Sequence, residues 1–204
     1  MSSVAAVSRK PTLIPVPTWP IYRFTVEQYH RMIEEGILNE NDRVELLDGW
    51  ITRKMTHTPP HDCCVELTQT QLLARLSADW ILRVQSAITI QGSEPEPDLL
   101  VARGPSRRYA RAHPRPADIA LLIEVAEATL EADRTEKGPL YARSRITDYW
   151  IINLVDAQVE AYTEPRAGKS PAYRQRKDYY IKDSVPLVIG GQHLGDIPVR
   201  ELLP

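Results

Sequence analysis

The sequence predicts an α/β sandwich, with a central mixed β-sheet flanked by helices, on three observations. Helix-like and strand-like stretches follow in the order helix, hairpin, helix, strands, helix, strands, which is not the strict alternation of a barrel. Ile119–Ala126 is a nearly continuous apolar run broken by Glu124, as expected of a strand covered on both faces. Asp48-Gly49 stands between two strand-like runs, a strong hairpin signal.

In chain order, residues 1–20 carry Pro11, Pro15, Pro17 and Pro20 and keep no helical or strand period, so they are expected to form a flexible arm. One domain is expected over 21–204, a usual length for a single core. Thr25–Glu35 reads as a helix. Thr25 and Gln28 make a capping box, Val26, Tyr29 and Ile33 share a face, and Gly36 is a stop. Arg43–Leu47 and Trp50–Met55 form the hairpin. Pro59-Pro60 opens a helix to about Ala78, where early prolines cost no hydrogen bond, with Val65, Leu72 and Leu76 on one side. Strands are expected at Arg83–Ile90 and Leu99–Ala102, then a polar loop over Arg103–Pro116, then the Ile119–Ala126 strand. A helical stretch follows over Leu130–Ser144, bent or restarted at Gly138-Pro139. Asp148–Leu154, Val159–Thr163, Tyr173–Ile181 and Val185–Ile189 are read as finishing the sheet, with Gly190-Gly191 as a turn.

Composition removes several function classes. Lys and Arg total 25 and Asp and Glu 27, a net charge of −2, which excludes binding nucleic acid through a bulk positive field. No apolar stretch approaches the roughly 20 residues of a transmembrane helix, so no membrane partner is expected. The two cysteines, Cys63 and Cys64, are adjacent and form no disulfide framework; with no signal-like N-terminus, a cytoplasmic location is expected.

The chemistry-bearing residues are carboxylates set in or beside apolar strands. Asp98 heads Leu99-Leu100-Val101, Glu124 interrupts its strand, and Glu45 lies in Val44-Glu45-Leu46-Leu47. A buried carboxylate needs a metal, a cation or a cleft. Asp98 and Glu124 suit a divalent cation, with the carbonyl of Val125 as a third oxygen ligand. Lys137 shares a helix face with Asp133 at i,i+4 and supplies an ammonium; Gln91 precedes the Glu94–Asp98 segment and is read as steadying the site. Arg103, Arg107, Arg108 and Arg111, with Arg115 and His113, form an Arg-rich loop directly after the Asp98 strand. It reads as a phosphate grip near the site, or as a solvated or homodimer-interface loop. His57, His61, Cys63 and Cys64 find no zinc-type partner set elsewhere, and the thiols are expected to pack inside. No Gly-rich phosphate loop occurs.

Glu96-Pro97-Asp98-Leu99-Leu100-Val101, Ile123-Glu124-Val125-Ala126 and Lys137, taken in order, resemble the PD-(D/E)xK nuclease core. Phe24–Tyr29, Arg43–Gly49, Lys137–Ala142 and Asp148–Asn153 extend the resemblance, over about residues 21–165, to the Uma-two family of restriction-endonuclease-like proteins. It implies a restriction-endonuclease-like fold with Asp98 and Glu124 as metal ligands, Lys137 as catalytic lysine and Glu45 as a further acid. The usual motif places the lysine two residues after the glutamate, where this chain has Ala126. The implied function is a Mg²⁺- or Mn²⁺-dependent endonuclease acting on phosphodiester bonds of nucleic acid, DNA first. The alternative is a catalytically silent binding module on the same fold.

Overall fold

The computed structural model describes residues 20–204, so the expected arm lies outside the described residues except for Pro20. Helix α1 (Val26–Glu34) begins at the Thr25 cap, in a reciprocal capping box with Gln28. Its apolar stripe is only partly covered: Tyr29 is buried while Ile33 stays exposed. Strands β1 (Val44–Leu47) and β2 (Trp50–Arg53) pair antiparallel. Asp48 and Gly49 both take positive φ, 52° and 80°, as a two-residue hairpin turn requires. A Cβ at Gly49 would stand 2.6 Å from the Cβ of Arg23, so glycine is needed there on both counts.

Helix α2 (Pro59–Leu73) starts at the Thr58 cap and stops short of Ala78. Ser77 instead closes a turn into β3 (Trp80–Val84), with its carbonyl accepting from the Trp80 N–H. The expected Arg83–Ile90 strand is thus displaced toward the N-terminus. Gln85, at φ 44°, ends β3. Ile88 and Ile90 are buried core residues beyond the strand, so their apolar spacing reported burial rather than ladder pairing.

The main sheet has the order β3-β4-β5-β6-β7-β8. Here β4 is Leu99–Arg103, β5 Ile119–Ala126, β6 Tyr149–Asn153, β7 Gln158–Arg166 and β8 Ala172–Tyr180. Only β5 and β6 are parallel, joined by the helical crossover a parallel pair needs. That crossover is α3 (Leu130–Ala132), a π-helical turn (Asp133–Lys137) and α4 (Gly138–Arg143). The expected break at Gly138-Pro139 is therefore a continuous helix carrying one wide turn just before it.

Val185–Ile189 does not finish the main sheet. It belongs to β9 (Ser184–Ile189), which pairs with β10 (Gln192–Pro198) in a separate hairpin about Gly190-Gly191. This hairpin and α2 cover one face of the sheet, burying Cys64, Val65, Leu72, Leu187 and Ile197 against Leu121, Ile123 and Val125. The other face carries Leu100, Leu122 and Ile151 against Leu140, Tyr141 and Ile146 from α4 and the turn after it. Side chains alternate along strands, so Asp98 and Glu124 share the face of Leu100 and Leu122, beneath the crossover.

Candidate active site

Leu99 lies opposite Ile123 in the antiparallel β4–β5 pair, which sets Asp98 opposite Glu124 at one end of the two strands. The Val125 N–H donates to Asp98 Oδ2 at 2.8 Å and so fixes that carboxylate with main chain from the neighbouring strand. Glu124 is 3% exposed and accepts from Tyr141 Oη at 2.7 Å and from Lys137 Nζ at 3.1 Å. The π-helical turn supplies Lys137 and Asp133 together, with Lys137 Nζ 3.8 Å from Asp133 Oδ1 and 3.7 Å from Glu45 Oε1. Glu45, on β1, accepts from the Glu96 N–H at 3.0 Å, tying the hairpin to the segment before Asp98. Lys54, on the far side of Glu96, pairs with it. Glu45, Lys54, Glu96, Asp98, Glu124, Asp133 and Lys137 line one pocket of 220 Å³, which also takes in Val125, His57 and His61, with Tyr141 buried behind Glu124.

Three carboxylates thus lie within 4 Å of one ammonium, with Asp98 as a fourth acid opposite Glu124. Burial works against the Lys137 charge, but Glu124, Glu45 and Asp133 outweigh it and raise its pKa. Burial pushes Glu124 up to about 8, with Lys137 opposing and Asp133 and Asp98 adding to the rise. Asp133 is likewise raised by burial. Asp98 is lowered: burial acts upward, and His61 and the Val125 N–H outweigh it. Tyr141 is held neutral well above its ordinary value by burial and by Glu124 beside it.

The structure therefore brings together Glu45, Asp98, Glu124, Val125, Asp133 and Lys137. It does not bring in the rest. Gln91 is exposed and lines a separate pocket with Asp48, Gly49 and Arg143. The Arg-rich loop follows the opposite end of β4 from Asp98, about 16 Å of strand away. Arg103 lies over the Trp80 ring and Arg108 pairs with Asp118 at 2.6 Å, while Arg107 and Arg111 are exposed and outside the acid pocket. Adjacency in sequence is not adjacency to the site when a whole strand intervenes.

Besides Tyr141, two histidines stand beside the acids where sequence spacing does not predict them. His61 Nε2 stands 3.2 Å from Asp98 Oδ1, and a ligand nitrogen of His57 lies within 4.8 Å of the ligand atoms of both. The signal was present as His57-x-x-x-His61 across the start of α2, but its third member comes from a different strand. The thiols take no part: Cys64 is buried and Cys63 is exposed, against the expectation that both pack inside.

The same arrangement of elements occurs in a solved structure. The chain is similar to a protein of Anabaena variabilis described as "a putative nuclease belonging to DUF820". The TM-score is 0.59 and the identity 15%, over 90% of this chain and 97% of that one. No curated protein matches. The family model described as "Putative restriction endonuclease", Uma2, matches residues 26–188. That span runs from the first turn of α1 into β9 and includes every element contributing to the acid pocket. On that match the chain belongs to the Uma2 family, within the PD-(D/E)xK restriction-endonuclease-like superfamily.

Proposed function

We propose that this protein is a divalent-metal-dependent endonuclease that hydrolyses phosphodiester bonds in nucleic acid, with DNA as the substrate. The observation that carries the reading is the charge imbalance at the end of β4 and β5, where Glu45, Glu124 and Asp133 crowd a single ammonium and Asp98 stands opposite Glu124 with His61 as its neighbour. An uncompensated group of buried carboxylates is costly, and oxygen donors are what Mg²⁺ and Mn²⁺ take. Asp98 and Glu124 would hold the ion, with the Val125 carbonyl as a third oxygen ligand. When bound, such an ion lowers the pKa of water and offsets charge developing on phosphate.

The chain's own groups have separable tasks. Lys137 stays protonated, so it does not act as the base. It serves as a fixed cation that orients water and meets a phosphate oxygen. Tyr141 and the Val125 N–H hold Glu124 and Asp98 in place, so the acids need not reorganise when charge develops. Glu45 and Asp133 hold the Lys137 ammonium over the pair.

The direct test incubates purified protein with plasmid and with single-stranded DNA in Mg²⁺ or Mn²⁺. Wild type is expected to nick or cut above a Glu124→Ala plus Asp98→Ala variant, and equal cleavage by the two would end the reading. The silent binding module is favoured by one observation: Glu127 and Glu136 sit on the rim of the pocket, and the Arg-rich loop does not. Salt-sensitive DNA binding without cleavage, surviving Glu124→Ala, would support it.

A further inference from the structure

We infer that the ion site is a mixed nitrogen and oxygen site, with His61 and His57 joining Asp98, and that it therefore selects a first-row transition dication over Mg²⁺, with Mn²⁺ as the probe ion. This inference rests on the metal-dependent reading above and goes beyond it in assigning two ligands and the class of ion. His57, His61 and Asp98 each present a ligand atom within 4.8 Å of the others, so modest side-chain movement brings all three onto one ion. The two rings are stacked, with centroids 4.4 Å apart and planes 19° from parallel, so they approach as a pair.

The groups behind the rings fit this role. Asp62 Oδ1 lies 3.4 Å from His61 Nδ1, while His57 Nδ1 stands 3.1 Å from the Gln85 amide nitrogen. For His61 this leaves Nε2 as the nitrogen directed at Asp98. A carboxylate on the remote nitrogen is the usual means of fixing the tautomer and ring orientation of a metal-bound histidine. Asp98 is prepared on its side: Oδ2 is taken by the Val125 N–H, and Oδ1 is the oxygen facing His61. His61 is buried while His57 is partly exposed, so one donor is fixed and the other lies on the entry path from solvent.

Mg²⁺ favours all-oxygen shells, whereas imidazole suits first-row transition ions increasingly along the series; Mn²⁺, at its start, still accepts imidazole more readily than Mg²⁺ does. Removing the imidazoles should cost Mn²⁺ affinity and leave Mg²⁺ affinity nearly unchanged. The test is calorimetric titration of the whole protein with MnCl₂ and with MgCl₂, paired with electron spin-echo spectroscopy of the Mn²⁺ complex. Wild type is expected to prefer Mn²⁺ by about tenfold or more and to show ¹⁴N modulation from a bound imidazole. His61→Ala should erase most of that preference and the modulation. His57→Ala, at a more exposed position, should weaken both and guards against a folding defect in the first variant. An unchanged Mn²⁺ preference in both variants, or no ¹⁴N modulation in wild type, overturns the inference. Binding abolished by Glu124→Gln plus Asp98→Asn yet indifferent to both histidines leaves the metal-dependent reading standing and this inference refuted. Absence of any dication binding in wild type refutes both.

Discussion

Glu124 and Glu160 are the same residue type in one row of one sheet. Glu124 lies beside Ile151 across β5–β6, and Ile151 beside Glu160 across β6–β7, so the two are about 10 Å apart. Both are buried, at 3% and 0% exposure. Yet their environments drive them apart. Burial lifts Glu124 to about 8. Burial would lift Glu160 too, but Arg134, Tyr162, Asn153 and Arg176 outweigh it and hold it at about 2. Glu160 accepts from Arg134 Nε at 3.1 Å, Tyr162 Oη at 2.7 Å, Asn153 Nδ2 at 2.9 Å and Gln158 Nε2 at 3.3 Å, with Arg176 at 3.3 Å. Donors there exceed what one carboxylate needs. Around Glu124 the acids exceed the cations. Burial marks both glutamates, and only the unbalanced one marks a site that calls for a ligand.

The largest break in this contrast should come from Glu160→Ala. It removes the shared acceptor of Arg134, Tyr162 and Asn153, with Arg176 keeping Asp178, and should lower stability by about 2–3 kcal/mol in urea unfolding. The pH profile should show the two glutamates acting in opposite senses. Glu160, depressed in the fold, contributes stability fully present above the ordinary value of 4.5 and lost as pH falls toward about 2, worth roughly 3 kcal/mol. Glu124, raised in the fold, contributes stability present at low pH and lost as pH climbs from 4.5 through about 8. A Glu124→Gln variant should therefore flatten the alkaline side, and a Glu160→Gln variant the acid side. If both variants flatten the same side, the contrast is wrong.

Mn²⁺ at about 100 times its Kd should raise wild-type stability by about 2.7 kcal/mol, read as a thermal shift. It should do nothing for a Glu124→Gln plus Asp98→Asn variant. Smaller still is Asp133→Asn, which removes one of the competing charges and should stabilise the ion-free protein by about 0.5–1 kcal/mol in the same melts. The smallest effect belongs to Arg107→Ala and Arg111→Ala, within about 0.5 kcal/mol of wild type and without effect on the Mn²⁺ shift.

Most of the architecture was legible because local chemistry agreed with the tertiary result. The Thr25–Gln28 box, the Asp48-Gly49 turn and the apolar run of β5 each carry their signal within a few residues. The site acids were legible for a related reason: a carboxylate inside an apolar run conflicts with its surroundings. Contributions depending on which ends of strands meet were not legible. His61 reaches Asp98 from the start of α2, and the Arg-rich loop leaves from the wrong end of β4. The π-helical turn was also hidden, since Asp133 and Lys137 share a face at i,i+4 in an ordinary helix as well. Arg134, in that same turn, pairs with Glu160, so one turn serves both the balanced cluster and the unbalanced one.

The β4–β5 register carries a consequence for altering this protein. Asp98 and Glu124 meet at one end, while the irregularity between Val101 and Ala102 lies further along the same pair. An inserted residue between Asp98 and Val101 would slip the register and turn Asp98 to the opposite face. Downstream of the irregularity the ladder no longer transmits such a shift to the acids. The segment after Arg103 is therefore where the chain tolerates a change of length, and a recognition peptide or reporter grafted there should leave both acids in place.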